Sequence, residues 1–425
     1  MNEHVAKIQV KDIQSSTPFH AGLEFTPQTR GTWTIAHTPL LIPESHEIFV
    51  CPQGCLRGVV LSAAEAHGMD RFSMVTVTED DLYNGKIEEL FIDGVSDIVE
   101  HLDPQPPLVM TFTSCVHHFV AIDLDLVFKE LNQRFPDICF VENYMNCTMR
   151  HSKVHYESMT TKQLYAGLQP TKQDGSINII GNYFTLDRDS EIFQIIGDAK
   201  DLCQMRTFDE YLEMAASSYN IYNAPVAIEC VQDLEKRLNQ KPIYMPYSWD
   251  IEEIKQDEAK LMEILGIYPD LSRYEKDALR ALEKLHDAIK DIEIQIDMSA
   301  TPRPLSLAKL LLEHGFHVTT VYTDTILPGE EKALAWLQEH HPDLMVCACV
   351  DFRCRTWQKS TTPVLAIGQK AAYYSGTDHF VNMIVNDGMY GFVAIRKLCE
   401  KMLDAYIYPK ETQRILDVKA RGCVL

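Results

Sequence analysis

The sequence lacks any long apolar run. In 425 residues, no stretch approaches the roughly 20 uninterrupted apolar residues that span a bilayer as a helix. The N-terminal stretch MNEHVAKIQVKDIQ is charged and has no apolar core of the kind that a signal peptide needs. We therefore expect a cytoplasmic protein that does not enter a membrane.

Basic residues are also scarce. The chain carries 39 Lys and Arg against 61 Asp and Glu, which gives a net charge of −22. A field of this sign repels the phosphates of nucleic acids and the headgroups of anionic membranes. The composition therefore argues against nucleic acid and against a membrane surface as partners.

Glycine motifs that cradle phosphates are missing as well. The glycines of "IIGNYF" (Gly181) and "AIGQK" (Gly368) belong neither to a GxGxxG fingerprint nor to a P-loop. No dinucleotide or nucleotide site is indicated in this chain. If the activity uses ATP, a partner protein should bind it.

The chain does contain a regular alternation of strand and helix patterns. Short apolar runs are followed by amphipathic stretches throughout, which predicts parallel sheets with helices between the strands. We predict an α/β fold of three Rossmann-like units: an N-terminal unit over 1–170, a middle unit over 171–290 and a C-terminal unit over 291–425.

Several helices can be placed within these units. The segment 250–291 is charged and helical with a break at Pro269, and a solvated helix face explains its charges. The sequence also predicts a helix over 190–199 and a last helix over 387–406.

Three cysteines follow predicted strands of the N-terminal unit. Cys51 and Cys55 lie at and just after the end of the strand "EIFVC", and Cys115 ends the strand "PLVMTFTSC". Binding sites of parallel sheets collect beyond the carboxyl ends of the strands. The same edge should receive the loop that follows the next strand, with three candidate residues: Cys147, Arg150 and His151.

The remaining candidates have structural explanations. The chain has twelve cysteines, and those with apolar neighbours at strand or helix spacing are interpreted as buried: Cys139, Cys203, Cys347, Cys349 and Cys399. Cys354 stands between two arginines and, if exposed, would have a lowered pKa. His117 and His118 suit either a role near a bound group or a helix cap, and both interpretations stay open.

Some of these residues resemble a known family. The residues are Gly54 with Cys55, the segment "TVTEDDLYNGKIEEL", the run "TFTSC" with "VHHFVAIDLD" behind it, and the later segments "EHHPDLMVCA" and "DGMYGFVAIRKL". They resemble the nitrogenase component 1 superfamily, which includes the molybdenum-iron protein and the subunits of dark-operative protochlorophyllide reductase. The resemblance covers nearly the whole chain as an order of elements.

The resemblance implies an iron-sulfur cluster held by Cys55 and Cys115. Subunits of the family generally offer a third cysteine about two dozen residues upstream of the Gly-Cys position, and this chain has none there. The departure argues against an eight-iron cluster and leaves a [4Fe-4S] cluster. Cys51 could take the third role, or a homodimer or a related second subunit could supply the missing ligands.

Three functions remain open from the sequence. The first is an oxygen-sensitive reductase component that receives electrons from an ATP-dependent, nitrogenase iron-protein-like partner and reduces a small molecule or macrocycle. The second is a scaffold for assembling a metallocluster. The third is a cluster-free binding protein whose thiols are ordinary core residues.

Overall fold

The computed structural model describes residues 6–19, 23, 25, 35–145, 154 and 156–410. Strands and helices alternate along these residues. The strands are β1 Lys7–Gln9, β2 His46–Pro52, β3 Phe72–Val77, β4 Leu108–Ser114, β5 Cys139–Met145, β6 Ile177–Ile180, β7 Lys200–Asp201, β8 Tyr219–Tyr222, β9 Lys241–Tyr244, β10 Glu293–Asp297, β11 Val318–Tyr322, β12 Met345–Cys347, β13 Val364–Ile367 and β14 Phe380–Val381.

The α-helices lie between and after these strands. They are α1 Gln53–Glu65, α2 Glu79–Tyr83, α3 Ile87–His101, α4 Cys115–Phe119, α5 Leu124–Arg134, α6 Tyr156–Gln163, α7 Phe193–Ile196, α8 Phe208–Leu212, α9 Ile228–Leu238, α10 Ile251–Leu265, α11 Ser272–Ile289, α12 Pro304–Glu313, α13 Glu331–His340, α14 Gln369–Ser375 and α15 Gly391–Ile407.

The described residues fall into two compact units. One unit, here called the two-sheet unit, takes its residues from 33–185 and 198–246. The other, the six-stranded unit, takes its residues from 1–32, 186–197 and 247–424. The boundaries at 170 and 290 stay a prediction.

The two-sheet unit contains two four-stranded parallel sheets. Their strand orders are β3-β2-β4-β5 and β7-β6-β8-β9. β2 and β4 are buried along nearly their whole length, as expected for strands covered by helices on both faces. Phe49 and Phe112 stack across β2 and β4 with ring centroids 4.2 Å apart. The predicted α/β fold with parallel sheets is confirmed.

The six-stranded unit has the strand order β1-β12-β11-β10-β13-β14. Five of its strands are parallel, and the edge strand β1 is antiparallel to β12, with Lys7 opposite Cys347. Residues 7–9, which the sequence places in the N-terminal unit, thus join the sheet formed by residues 293–381.

The charged segment forms the two helices that the sequence predicts. α10 ends at Leu265, where Gly266 adopts a left-handed conformation at φ 70°. α11 buries one stripe of apolar residues at helical spacing, namely Ala278, Leu282, Leu285 and Ile289. Among the described residues, no helix is both long and apolar enough to cross a membrane.

Among the described residues, the thiols of the six-stranded unit are buried, as predicted for most of them. Cys347, Cys349 and Cys399 lie in the interior, and burial raises the pKa of Cys347 and of Cys399 to about 12. Cys354 is buried too, and its Sγ donates to the carbonyl of Ala348 at 3.3 Å. Burial raises its pKa to about 12, so the exposure on which a lowered pKa of Cys354 depended is not met.

Candidate functional site

The strands that carry the candidate cysteines are neighbours in one sheet. β2 pairs with β4 in parallel, and Phe49 lies opposite Phe112. Three residues further along the chain stand Pro52, which ends β2, and Cys115, which directly follows β4. The carboxyl ends of the two strands therefore meet at one edge, and the structure brings Cys55 and Cys115 to that edge. We call it the thiol edge.

Cys55 and Cys115 are both accessible at the thiol edge. Cys55 lies in the first turn of α1 and is exposed, while Cys115 begins α4 and is partly exposed. Thiolates are soft ligands that suit iron-sulfur groups, and residues held at strand ends have little freedom to move. The donor chemistry of these two residues fits an iron-sulfur group.

Cys51 has a different environment from its neighbour in the sequence. It lies within β2, is fully buried and packs among apolar residues, including Phe49 and Phe112. Burial, followed by the nearby Cys55 thiol, raises its pKa to about 12. Ligation by Cys51 remains a prediction, and its burial argues against it because a metal ligand must be a thiolate.

His117 caps the short helix that begins at Cys115. Its Nδ1 accepts the backbone N–H of Ser114 at 3.1 Å, and Ser114 immediately precedes Cys115. Burial lowers the pKa of His117 to about 4, so the ring is neutral near pH 7. The capping interpretation is confirmed for this residue.

His118 points elsewhere. It is exposed, and its ring centroid lies 5.9 Å from that of Tyr144. The two adjacent histidines therefore have separate surroundings. Cys147, Arg150 and His151 lie outside the described residues.

Two aromatic residues near the thiol edge were missed at the sequence level. Tyr83 ends α2, which follows β3, and Phe119 ends α4, which follows β4; they are 87% and 74% exposed. Each residue belongs to a helix of only five residues. A helix this short has too few residues for hydrophobic periodicity to indicate which side chains face solvent. The only available signal was a large apolar residue shortly after a strand end.

Within the part of the chain that the structure describes, no group of three or more His, Cys, Asp or Glu residues is arranged to hold a metal ion. The two accessible thiols are thus the donors that the described residues place at the thiol edge.

Parallel sheets with accessible thiols at adjoining strand ends define, as a class, an α/β protein suited to soft-metal or redox chemistry. The nitrogenase component 1 type oxidoreductase family model matches residues 38–391, and the chain belongs to that family. Proteins of this family bind metal-sulfur clusters and work with an iron-protein-like partner. No curated protein matches the sequence.

Solved structures of nitrogenase share the fold. One, described as nitrogenase Cp1 at pH 6.5, is 15% identical with a TM-score of 0.67, over 97% of this chain and 97% of that chain. Another, described as nitrogenase Cp1 at pH 5, is 11% identical with a TM-score of 0.62, over 98% of this chain and 95% of that chain. At these identities the likeness establishes the fold.

Proposed function

We propose that this chain is the substrate-reducing component of a nitrogenase-like reductase. It receives electrons from a separate ATP-dependent iron-sulfur protein and reduces a small molecule or a macrocycle. The observation that supports this proposal is the adjacency of β2 and β4, which sets Cys55 and Cys115 at one edge of a sheet. Family membership supplies the redox context.

Cys55 and Cys115 hold the cluster in this proposal, and a [4Fe-4S] type suits the few thiols available. A cluster bound there supplies one-electron transfer. The surrounding residues hold the two thiols in position. His117 accepts the N–H of Ser114 and so fixes the backbone directly before Cys115. The pairing of β2 with β4 keeps the ends of the two strands side by side.

The exposed aromatic residues support contact with a protein at the same edge. Large apolar side chains that remain in water are costly unless they are isolated or meet a partner. Tyr83 and Phe119 lie on helices that follow strands neighbouring β2. We assign this face to the electron-donating partner or to a second subunit.

Metal analysis tests the ligand assignment. Anaerobically purified protein should contain iron and sulfide, and Cys55→Ala or Cys115→Ala should lose both together with the brown colour. Cys139→Ala and Cys399→Ala are matched controls, since Cys399 is buried and Cys139 packs, partly buried, against the core of the two-sheet unit, and they should keep the iron. A Cys115→Ala protein with full iron content would exclude this ligand set.

A scaffold for cluster assembly is the second candidate. The exposure of Cys55 favours it, because an accessible ligand lets a bound group be passed to an acceptor protein. Turnover with ATP and an iron-protein-like reductase supports the reductase. Transfer of iron and sulfide to an acceptor, without turnover, supports the scaffold.

A further inference from the structure

Two glutamates are buried against each other in the six-stranded unit. Glu191 is fully buried and Glu258, on α10, is 4% exposed. A hydrogen bond joins their carboxyl groups, and Oε1 of Glu258 is buried without any hydrogen-bond partner. Two ionised carboxylates cannot donate to each other, so one of the two carries a proton.

The backbone of α15 decides which carboxyl keeps the negative charge. The carboxylate of Glu191 accepts the N–H groups of Phe392 and, at 3.2 Å, Val393. These N–H groups belong to the first turn of a seventeen-residue helix, whose positive end favours an anion. Glu191 is therefore the anion and Glu258 the protonated partner.

A glycine at the start of α15 makes room for the Glu191 carboxylate. Gly391 has φ 65°, and a Cβ there would lie 2.0 Å from Oε1 of Glu191. Only glycine lets the carboxylate approach the helix so closely. Lys397 also ties α15 to the same segment, through Asp187 at 2.6 Å and Asp189 at 2.7 Å.

The groups that surround Glu258 disfavour a second charge. Besides Glu191, it faces Glu275 on α11 and Asp257 on its own helix. The buried hydroxyl of Tyr390, before α15, and that of Tyr247 belong to the same cluster. Burial, and then the charge of Glu191, raises the pKa of Glu258 to about 9.

We propose that the single proton shared by Glu191 and Glu258 is a conformational switch in this unit. While the proton is held, α10 is clamped to the N-terminus of α15. When it is lost, two carboxylates repel each other in a buried place, and α10 separates from the first turn of α15.

Linkage gives the direction of the effect. The ordinary pKa of a glutamate, 4.5, rises to about 9 in Glu258 on folding. The stabilisation is therefore complete below pH 4.5 and is lost as the pH rises towards 9. In that interval the ratio of folded to unfolded protein falls by at most about tenfold per pH unit.

The experiment compares Glu258→Gln with the wild type. Glutamine keeps a donor for the Glu191 carboxylate but cannot titrate, so its unfolding midpoint should fall less between pH 6 and pH 9. Glu263→Gln, an exposed position on the same helix, is the matched control and should follow the wild type. Parallel pH profiles for wild type and Glu258→Gln would overturn the switch.

Infrared spectroscopy of the wild-type protein tests the shared proton directly. We expect a carbonyl stretching band of a protonated carboxylic acid at pH 7, which disappears towards alkaline pH. Glu258→Gln should lose one component of that band, while other buried carboxyls such as Glu47 keep theirs. If the wild type shows no such band at pH 7, there is no shared proton, whether or not the variant folds.

Discussion

At the scale of single residues, burial separates cysteines that the sequence groups together. Cys51 and Cys55 are four positions apart, and their spacing alone makes both candidates for metal binding. The structure leaves Cys55 in solvent and turns Cys51 into the core. Because both faces of β2 are covered, Cys51 is buried wherever its side chain points, provided that β2 continues to Pro52, and a short apolar run does not specify that end point.

This difference should appear in thiol labelling of the cluster-free protein. At pH 8, iodoacetamide should modify Cys55 much faster than Cys51, because Cys51 is buried and its pKa is raised to about 12. Peptide mass spectrometry with and without denaturant measures both rates. Equal rates in the native protein would mean that Cys51 is accessible and would restore it as a ligand candidate.

Glu47 is a second residue whose burial matters. It lies in β2 at 1% exposure, and neither of its carboxyl oxygens has a hydrogen-bond partner. Burial raises its pKa well above the ordinary value, although the nearby Arg71 opposes this rise. A raised carboxyl pKa means that the protein loses stability as the pH increases above about 4.5.

We therefore expect Glu47→Gln to be more stable than the wild type at pH 8, by about 1–3 kcal/mol. The gain should shrink as the pH falls and should vanish below 4.5, where the wild-type carboxyl becomes protonated in both states. Urea unfolding at the two pH values measures it. Glu100→Gln, an exposed position at the end of α3, should change stability little at either pH.

At the scale of elements, the start of α15 shows why a helical pattern misplaces boundaries. The sequence predicts this helix from Asp387, yet it begins at Gly391. Residues 385–388 all have positive φ, and tertiary hydrogen bonds hold them there: the N–H of Val385 donates to Ser299 and that of Asn386 to Ala300. Such long-range bonds leave no trace in local periodicity.

The helix predicted over 190–199 was wrong at its ends for related reasons. α7 covers only Phe193–Ile196, because Gly197 adopts φ 62° and closes it. Glu191 is instead engaged with the first turn of α15. By contrast, α10 and α11 matched the sequence well, since strong periodicity and a clear break determine them locally.

Gly391 should tolerate no side chain. Gly391→Ala places a Cβ at φ 65° against the Glu191 carboxylate, and we expect it to destabilise the protein by about 1–3 kcal/mol. In contrast, Gly58→Ala, exposed inside α1 with open space around it, should stabilise by about 0.5–1 kcal/mol. Thermal unfolding of both variants measures the difference, and a neutral Gly391→Ala would contradict the close approach.

At the scale of the whole molecule, the sequence predicted parallel α/β sheets but not the order of their strands. Strand and helix types follow from periodicity, whereas β2 could have bordered another strand than β4. That neighbourhood decides whether Cys55 and Cys115 share an edge. The sequence thus identified Cys55 and Cys115 as candidates, and the strand order of the sheet places them at the same edge.

The thiol edge leads us to expect a dimer. A four-iron cluster takes about four thiolates, and Cys55 and Cys115 provide two. Two copies, or one copy and a related subunit, complete the set at a shared interface. Light scattering of iron-replete protein should give a dimer, and Cys51→Ala should keep its iron. An iron-replete monomer, or iron loss in Cys51→Ala, would instead favour a cluster held within one chain.

The edge strand β1 has a consequence for handling the protein. Its three residues cover the outer side of β12, from Lys7 opposite Cys347 to Gln9 opposite Met345. Shortening the N-terminus past this point would leave a row of backbone donors and acceptors open to strand addition by another molecule. An affinity tag cleaved beyond residue 9 would therefore promote aggregation, while a start before residue 6 keeps β12 covered by β1.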